Sequence, residues 1–202
     1  VAGKYGGAYA GVSMGGTLTS VGGTADGGND GVGGSIFVIG GLAAMIGQVL
    51  ARVPELKRLR LSTLDPAAIG DDLLNLFAED QRLMPHLHLS LQAMDDMVLK
   101  RMKRRHLSAD AFDVVCRARK TRPDAVFGAD LIAGFPTETE AMFENTLAAV
   151  ADLGLAHLHV FPYSPRENTL AASLEGRLHG TEVKRRVRAL QELGRRKWAA
   201  FA

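Results

Sequence analysis

A chain of 202 residues, 47% hydrophobic and 23% charged, has the composition of a soluble globular domain and enough length for one well-buried core. A formal charge of +2 is too small to demand a polyanionic partner, and a single cysteine excludes an internal disulfide framework and fits the reducing cytoplasm. The longest apolar stretch, around residues 36–50, is interrupted by Gly40, Gly41, Gly47 and Gln48, so no membrane span is expected.

Most of the 23 glycines lie before residue 48, in runs such as VGGTADGGNDGVGGS, where missing side chains leave little to bury. Residues 1–41 are therefore expected to be a loose, glycine-rich segment. They lack the Gly-Lys-Ser/Thr of a phosphate loop. From Leu42 the pattern becomes regular: a helix to Val53, stopped by Pro54, then the strand LKRLRLS from Leu56. Pro66 opens a predicted helix through Glu79, with Asp65 as its cap and Asp71 and Asp72 near its positive end. The strand His86 to Gln92 and a helix from Asp95 to Lys103 follow. Ser108 is placed to cap a helix through Lys120, and AVFGADLIAGF from Ala125 reads as a strand. After Thr139 a helix runs to Leu153, AHLHVFPY from Ala156 is a strand, and Thr181 to Ala202 is a basic amphipathic helix.

Repeated strand–helix alternation predicts an α/β fold with a parallel sheet. Its faces are unequal. Arg58, Arg60 and Ser62 share one side of their strand, as do His86, His88, Ser90 and Gln92, and as do His157, His159 and Tyr163. A sheet covered by helices on both faces would be apolar on both, so one polar face predicts a cavity-lining surface, hence a partial (β/α) barrel. Ligand contacts in barrels come from the carboxyl ends of strands, here Ser62 to Asp65, Ser90 to Gln92, Asp130 to Pro136 and Tyr163 to Arg166.

Four segments at those ends, RLRLSTLDP, HLHLSLQAMDDMVLKRMKRRH, GADLIAGFPTETEAMFENTL and HVFPYSPRENTLAA, resemble the radical S-adenosylmethionine methylthiotransferases in order and spacing. The likeness runs from Leu42 to Ala202 and looks nearest to the branch acting on threonylcarbamoyladenosine beside the tRNA anticodon. It implies that residues 42–202 are the later part of a radical S-adenosylmethionine barrel domain with a C-terminal linker helix. It also implies a tRNA-modifying, cytoplasmic, monomeric enzyme that takes sulfur from a donor. In that family GFPTETE and LSLQ face S-adenosylmethionine. With the strand-end argument this gives Ser62, Ser90, Gln92, Asp130, Gly134, Pro136, Glu138, Tyr163 and Arg166 as cofactor-binding candidates.

The departures count as much. The family holds a [4Fe–4S] cluster with C-x-x-x-C-x-x-C, and Cys116, within a predicted helix, cannot replace three thiolates. The family's second-cluster domain and RNA-binding barrel find no counterpart here, so the chain resembles a fragment. GGTLTSVG from Gly15 echoes a family strand end, with Thr17 in place of aspartate. Met94 stands where glycine is usual, and Glu167 and Asn168 where proline and glycine are.

Single residues leave alternatives open. Asp130, in an apolar strand, either pairs with Arg60 or meets the ligand. Glu140 reads as a cap beside Thr139, and Glu138 as a ligand contact. His86 with His88, or His157 with His159, are either metal ligands on one strand face or hydrogen-bonded histidines of the lumen; no acidic residue or cysteine lies nearby in a ligand pattern, so no metal site is expected. Lys100, Arg101, Lys103, Arg104 and Arg105 are either a solvated helix end or the phosphate contacts to the tRNA anticodon region. Two functions remain: a tRNA methylthiotransferase whose 5′-deoxyadenosyl radical opens the reaction, or a non-catalytic basic α/β domain that binds RNA or S-adenosylmethionine weakly.

Overall fold

The computed structural model describes residues 41–201 except Asn168, together with the backbone of Thr17–Leu18 and Val38–Ile39. Apart from those backbone positions and Gly41, the glycine-rich segment and its GGTLTSVG echo lie outside the described residues. The chain divides into two compact units between Leu56 and Lys57. In the first, β1 (Thr17–Leu18) pairs antiparallel with β2 (Val38–Ile39), and α1 (Leu42–Arg52) follows, its apolar stripe made by Ala43, Ile46 and Leu50.

The second unit holds β3 (Leu59–Leu64), a 3₁₀ turn (Pro66–Ala68), α2 (Asp71–Glu79), β4 (Leu83–Gln92), α3 (Asp96–Arg101) and α4 (Ser108–Thr121). It continues through β5 (Val126–Ala133), α5 (Glu140–Asp152), β6 (His157–Pro162), the single turn α6 (Leu170–Ser173) and α7 (Gly180–Phe201). The four strands pair in parallel in the order β3-β4-β5-β6. Each crossover advances one place in the same direction, and right-handed crossovers then put every connecting helix on one face. The buried side chains agree. Leu61 and Leu64, Leu87, Leu89 and Leu91, and Phe127, Ala129, Leu131 and Ala133 form the helix side of the core with Leu73, Phe77, Val114, Ala118, Phe143 and Val150. Full burial of one such Leu or Phe is worth about 1.5–3 kcal/mol. The buried Arg122 ties two connections together by donating to the carbonyls of Phe77 and Leu83, both at 2.7 Å. The architecture is a partial barrel wall. Among the described residues no helix is long and apolar enough to cross a membrane.

Four local expectations change. The helix expected from Pro66 breaks at Ile69, and Gly70 starts α2, so Asp65 caps only the 3₁₀ turn by accepting from the Ala67 N–H. Ser108 is the first residue of α4 and not its cap. Its N–H and hydroxyl both donate to Asp96, while Asp110 accepts from the Leu107 N–H. Thr139 caps α5 without help from Glu140, whose carboxylate pairs with Arg185 and Arg186 of α7. The short α6 has no counterpart among the expected elements.

Candidate functional site

The site begins where strand geometry becomes irregular. β3 shifts register against β4 at both ends and β4 shifts against β5 at its carboxyl end, and Thr63 (φ 57°) and Gln92 (φ 65°) adopt left-handed backbone at the carboxyl ends. A bulge of this kind redirects a side chain at a sheet rim. Gln92 turns into a cleft while its amide donates to Ser90 Oγ at 2.7 Å. Beyond β4, Asp95 caps α3 by accepting from Met97 and Val98, and α5 holds the same turn through Asn145 to Asp95 and the Met94 N–H to Thr146 Oγ1. Beyond β5, Gly134 has φ +82°, and an added β-carbon would come within 2.7 Å of Val183 on α7. Glycine is required there both by backbone conformation and by the approach of the helix.

These turns surround a cleft of about 660 Å³, within the range of small-molecule sites. Gln92, Asp130, Tyr163 and Arg166 line it, as do Arg101, Lys103 and Arg104, so it joins residues expected to meet a cofactor with residues expected to meet RNA. Its apolar wall includes Ile132 and Phe135 from the Asp130 to Pro136 strand end, and Phe161 and Leu170, which sequence pattern did not single out. Phe135 and Tyr163 stack edge to face at 5.3 Å. The Tyr163 hydroxyl and Arg104 Nε are buried without a hydrogen-bond partner among the described residues.

Other candidates lie elsewhere. Ser62 is exposed on β3 and does not line the cleft; neither do the buried Gly134 and Pro136. Ser90 is buried and reaches it only through Gln92. Glu138 is turned inward: its carboxylate accepts from the Gly134 N–H at 2.8 Å and from Arg186 at 2.9 Å. Burial pushes its pKa up despite these bonds.

The basic run also separates. Arg104, Arg105 and the buried His106 all reach Asp65, at 3.4, 3.5 and 3.3 Å. Burial alone would raise Asp65, but the Ala67 N–H and these three side chains hold it below the usual carboxylate range. Arg101 donates to the Thr137 carbonyl and hydroxyl, fixing the turn that follows β5. Lys100 and Lys103 stay exposed.

The polar face is a connected network. Arg60 bonds His86 and not Asp130, and burial, then the Arg60 charge, takes the His86 pKa down to about 4. Asp130 instead binds histidines from both neighbouring strands, with His88 Nε2 at 2.9 Å and His159 Nδ1 at 3.1 Å. The absence of an acid near the histidine pairs is thus corrected. Asp130 is remote from His88 and His159 in sequence but is set beside them by parallel register, with His88 opposite Gly128 and Asp130 opposite His159.

The sequence profile of the Radical SAM superfamily matches residues 29–150. The chain belongs to that superfamily. Within the radical SAM proteins it stands with the methylthiotransferases. It is 55% identical over 132 residues to threonylcarbamoyladenosine tRNA methylthiotransferase MtaB of Rickettsia prowazekii, covering 65% of this chain and 31% of that protein. It is 41% identical over 161 residues to tRNA-2-methylthio-N(6)-dimethylallyladenosine synthase of Erythrobacter litoralis, covering 80% and 36%. The chain thus spans about a third of the length of these relatives. Among solved structures, coproporphyrinogen III oxidase (HemN) from Escherichia coli, a radical SAM enzyme, superposes with a TM-score of 0.64 at 20% identity, over 77% of this chain and 37% of that one. This likeness is one of fold.

Radical SAM chemistry uses an iron–sulfur cluster and S-adenosylmethionine, and this chain fits the two unequally. Its one cysteine, Cys116, is exposed on α4, and one thiolate does not hold a cluster that takes three or four. The cleft, with its volume, cationic rim and aromatic wall, does fit a nucleoside of that size.

Proposed function

We propose that this chain contributes the later strands of a tRNA methylthiotransferase barrel and that its cleft seats S-adenosylmethionine. In this reading the modified nucleoside is threonylcarbamoyladenosine beside the anticodon, the cell supplies a sulfur donor, and the protein works in the cytoplasm. When bound, S-adenosylmethionine is the methyl donor and radical source of that chemistry. The chain's own residues bind and position. Phe135 and Tyr163 offer an apolar face to an adenine, Gln92 and the Tyr163 hydroxyl offer hydrogen bonds, and Arg166 offers a cation to a carboxylate. The choice of nucleoside rests on the 55% identity to the Rickettsia prowazekii protein, against 41% to the synthase of Erythrobacter litoralis.

The observation that carries the reading is the cleft itself, which gathers Gln92 from the end of β4, Asp130 from within β5 and Tyr163 and Arg166 from the segment after β6. Calorimetric titration of the 202-residue chain with S-adenosylmethionine tests it. Saturable binding is expected, weakened at least tenfold in Gln92→Ala with Arg166→Ala. A folded chain that takes up no S-adenosylmethionine would remove the cleft from the proposal. The single cysteine favours a second reading for the chain in isolation, a basic α/β domain that binds its ligands without performing redox chemistry.

A further inference from the structure

The side of the sheet away from the connecting helices carries a constellation that the nucleoside cleft does not explain. His88 on β4, Asp130 on β5 and His159 on β6 each offer one ligating atom, and the three atoms all lie within 4.8 Å of one another. The strands carrying them are adjacent, so backbone hydrogen bonding fixes the spacing. A tetrahedral ion with bonds of about 2.0–2.1 Å separates its ligands by about 3.3 Å. The observed 2.9 and 3.1 Å from His88 Nε2 and His159 Nδ1 to Asp130 Oδ1 need only a few tenths of an ångström of relaxation to reach that value.

The surroundings support a cation here. Among the described residues Asp130 forms no ion pair with Lys or Arg; the nearest candidate expected from sequence, Arg60, is engaged with His86. The carboxylate side chain is 16% exposed and that of His88 only 6%, whereas His159 is 49% exposed, so the site is deep on two sides and open on the third. The His88 ring lies against Gly128, where a β-carbon would come within 2.6 Å of Nδ1, and His159 Nε2 lies 2.8 Å from His157 Nε2. Glycine at 128 only leaves the room that the His88 ring occupies, whereas the His157 nitrogen can pair with the second nitrogen of His159 and so fix its tautomer and orientation, as outer partners of metal-ligating imidazoles do.

We infer that His88, Asp130 and His159 form a site for one divalent transition-metal ion of the zinc class, with His157 as the outer partner of His159. Two imidazoles and one carboxylate exclude magnesium and calcium, which take oxygen donors, and three protein ligands leave a fourth position open to water or to a group entering from the adjoining cleft, which Asp130 also lines. This ion is separate from any iron–sulfur cluster, because no thiolate takes part.

The test is calorimetric titration of the untagged 202-residue chain with zinc chloride, paralleled by cobalt(II) and its visible absorption. One ion per chain is expected, with the intense absorption of four-coordinate cobalt. Asp130→Asn and His88→Gln should abolish binding, while His157→Gln should weaken it about 10–100-fold. Circular dichroism and thermal melting establish that each variant is folded, and Asp130→Asn, being isosteric, leaves the sheet least disturbed. Stoichiometric binding that persists undiminished in Asp130→Asn, or a folded wild-type chain with no zinc affinity in the micromolar range, would overturn the assignment.

Discussion

Gly128 shows how one missing side chain organises the polar face. It lies on β5 beside His88 of β4 and His157 of β6, and a methyl group there would sit 2.6 Å from His88 Nδ1 and 3.2 Å from the His157 carbonyl oxygen. Backbone on one side and a ring pinned by Asp130 on the other leave little room to yield. Glycine in a strand interior often marks such a close approach. Gly128→Ala is therefore expected to destabilise the chain by about 1–3 kcal/mol, the usual cost of overpacking, and to displace the His88 ring. Urea denaturation measures the first effect and imidazole chemical shifts the second. An unchanged midpoint with unchanged shifts would show that the ring is not seated on this glycine. The glycine was visible in GADLIAGF, but its use was not, because the ring it accommodates belongs to a residue forty positions earlier in the chain.

At the scale of elements, strands and helices were legible because their periodicities differ, whereas their ends were decided by contacts that periodicity does not encode. Gly70 splits the helix expected after Pro66, and bulges at Thr63 and Gln92 use left-handed backbone at residues that do not announce it. The last helix also depends on distant partners. Arg186 is buried between Glu138 and Glu140 from the turn and helix after β5 and Glu182 one turn before it, while Arg185 bonds both Glu140 and Glu182. These bonds hold Glu182 at about 2, against an ordinary value of 4.5. A carboxylate so depressed contributes its full stability above pH 4.5 and loses it as pH falls through about 2. Glu138 runs the other way, since burial raises its pKa and its protonated form favours the folded chain. Thermal melts of the wild type should therefore decline between pH 4.5 and 2, and Glu182→Gln should flatten that part of the curve while Glu138→Gln should not. Parallel acid limbs in wild type and Glu182→Gln would separate the network from α7 docking.

At the scale of the molecule, the sequence disclosed a parallel sheet with unequal faces, and the fold accounts for it by placing successive crossovers on one side. Of the nine residues expected to meet a cofactor, four, Gln92, Asp130, Tyr163 and Arg166, line one cleft. The basic run was harder to interpret, because charge count does not reveal which cations are already engaged. Arg104, Arg105 and His106 lean on Asp65, and Arg101 secures Thr137, while Lys100 and Lys103 are exposed and Lys103 lines the cleft. Removing an engaged arginine confounds folding with binding, and removing the two lysines does not. If this surface meets the phosphates of an anticodon stem, Lys100→Ala with Lys103→Ala should weaken tRNA binding uniformly across sequences and leave the melting temperature unchanged. Each phosphate contact contributes about 0.7–0.9 to the slope of log affinity against log salt, so the double variant should lower that slope by about 1.5. Arg104→Ala serves as the contrast, lowering stability because Asp65 and the Ser90 carbonyl lose a donor. A double-lysine variant with wild-type affinity and salt slope would assign the run to the fold alone, since three of its arginines and its histidine already serve Asp65 and Thr137.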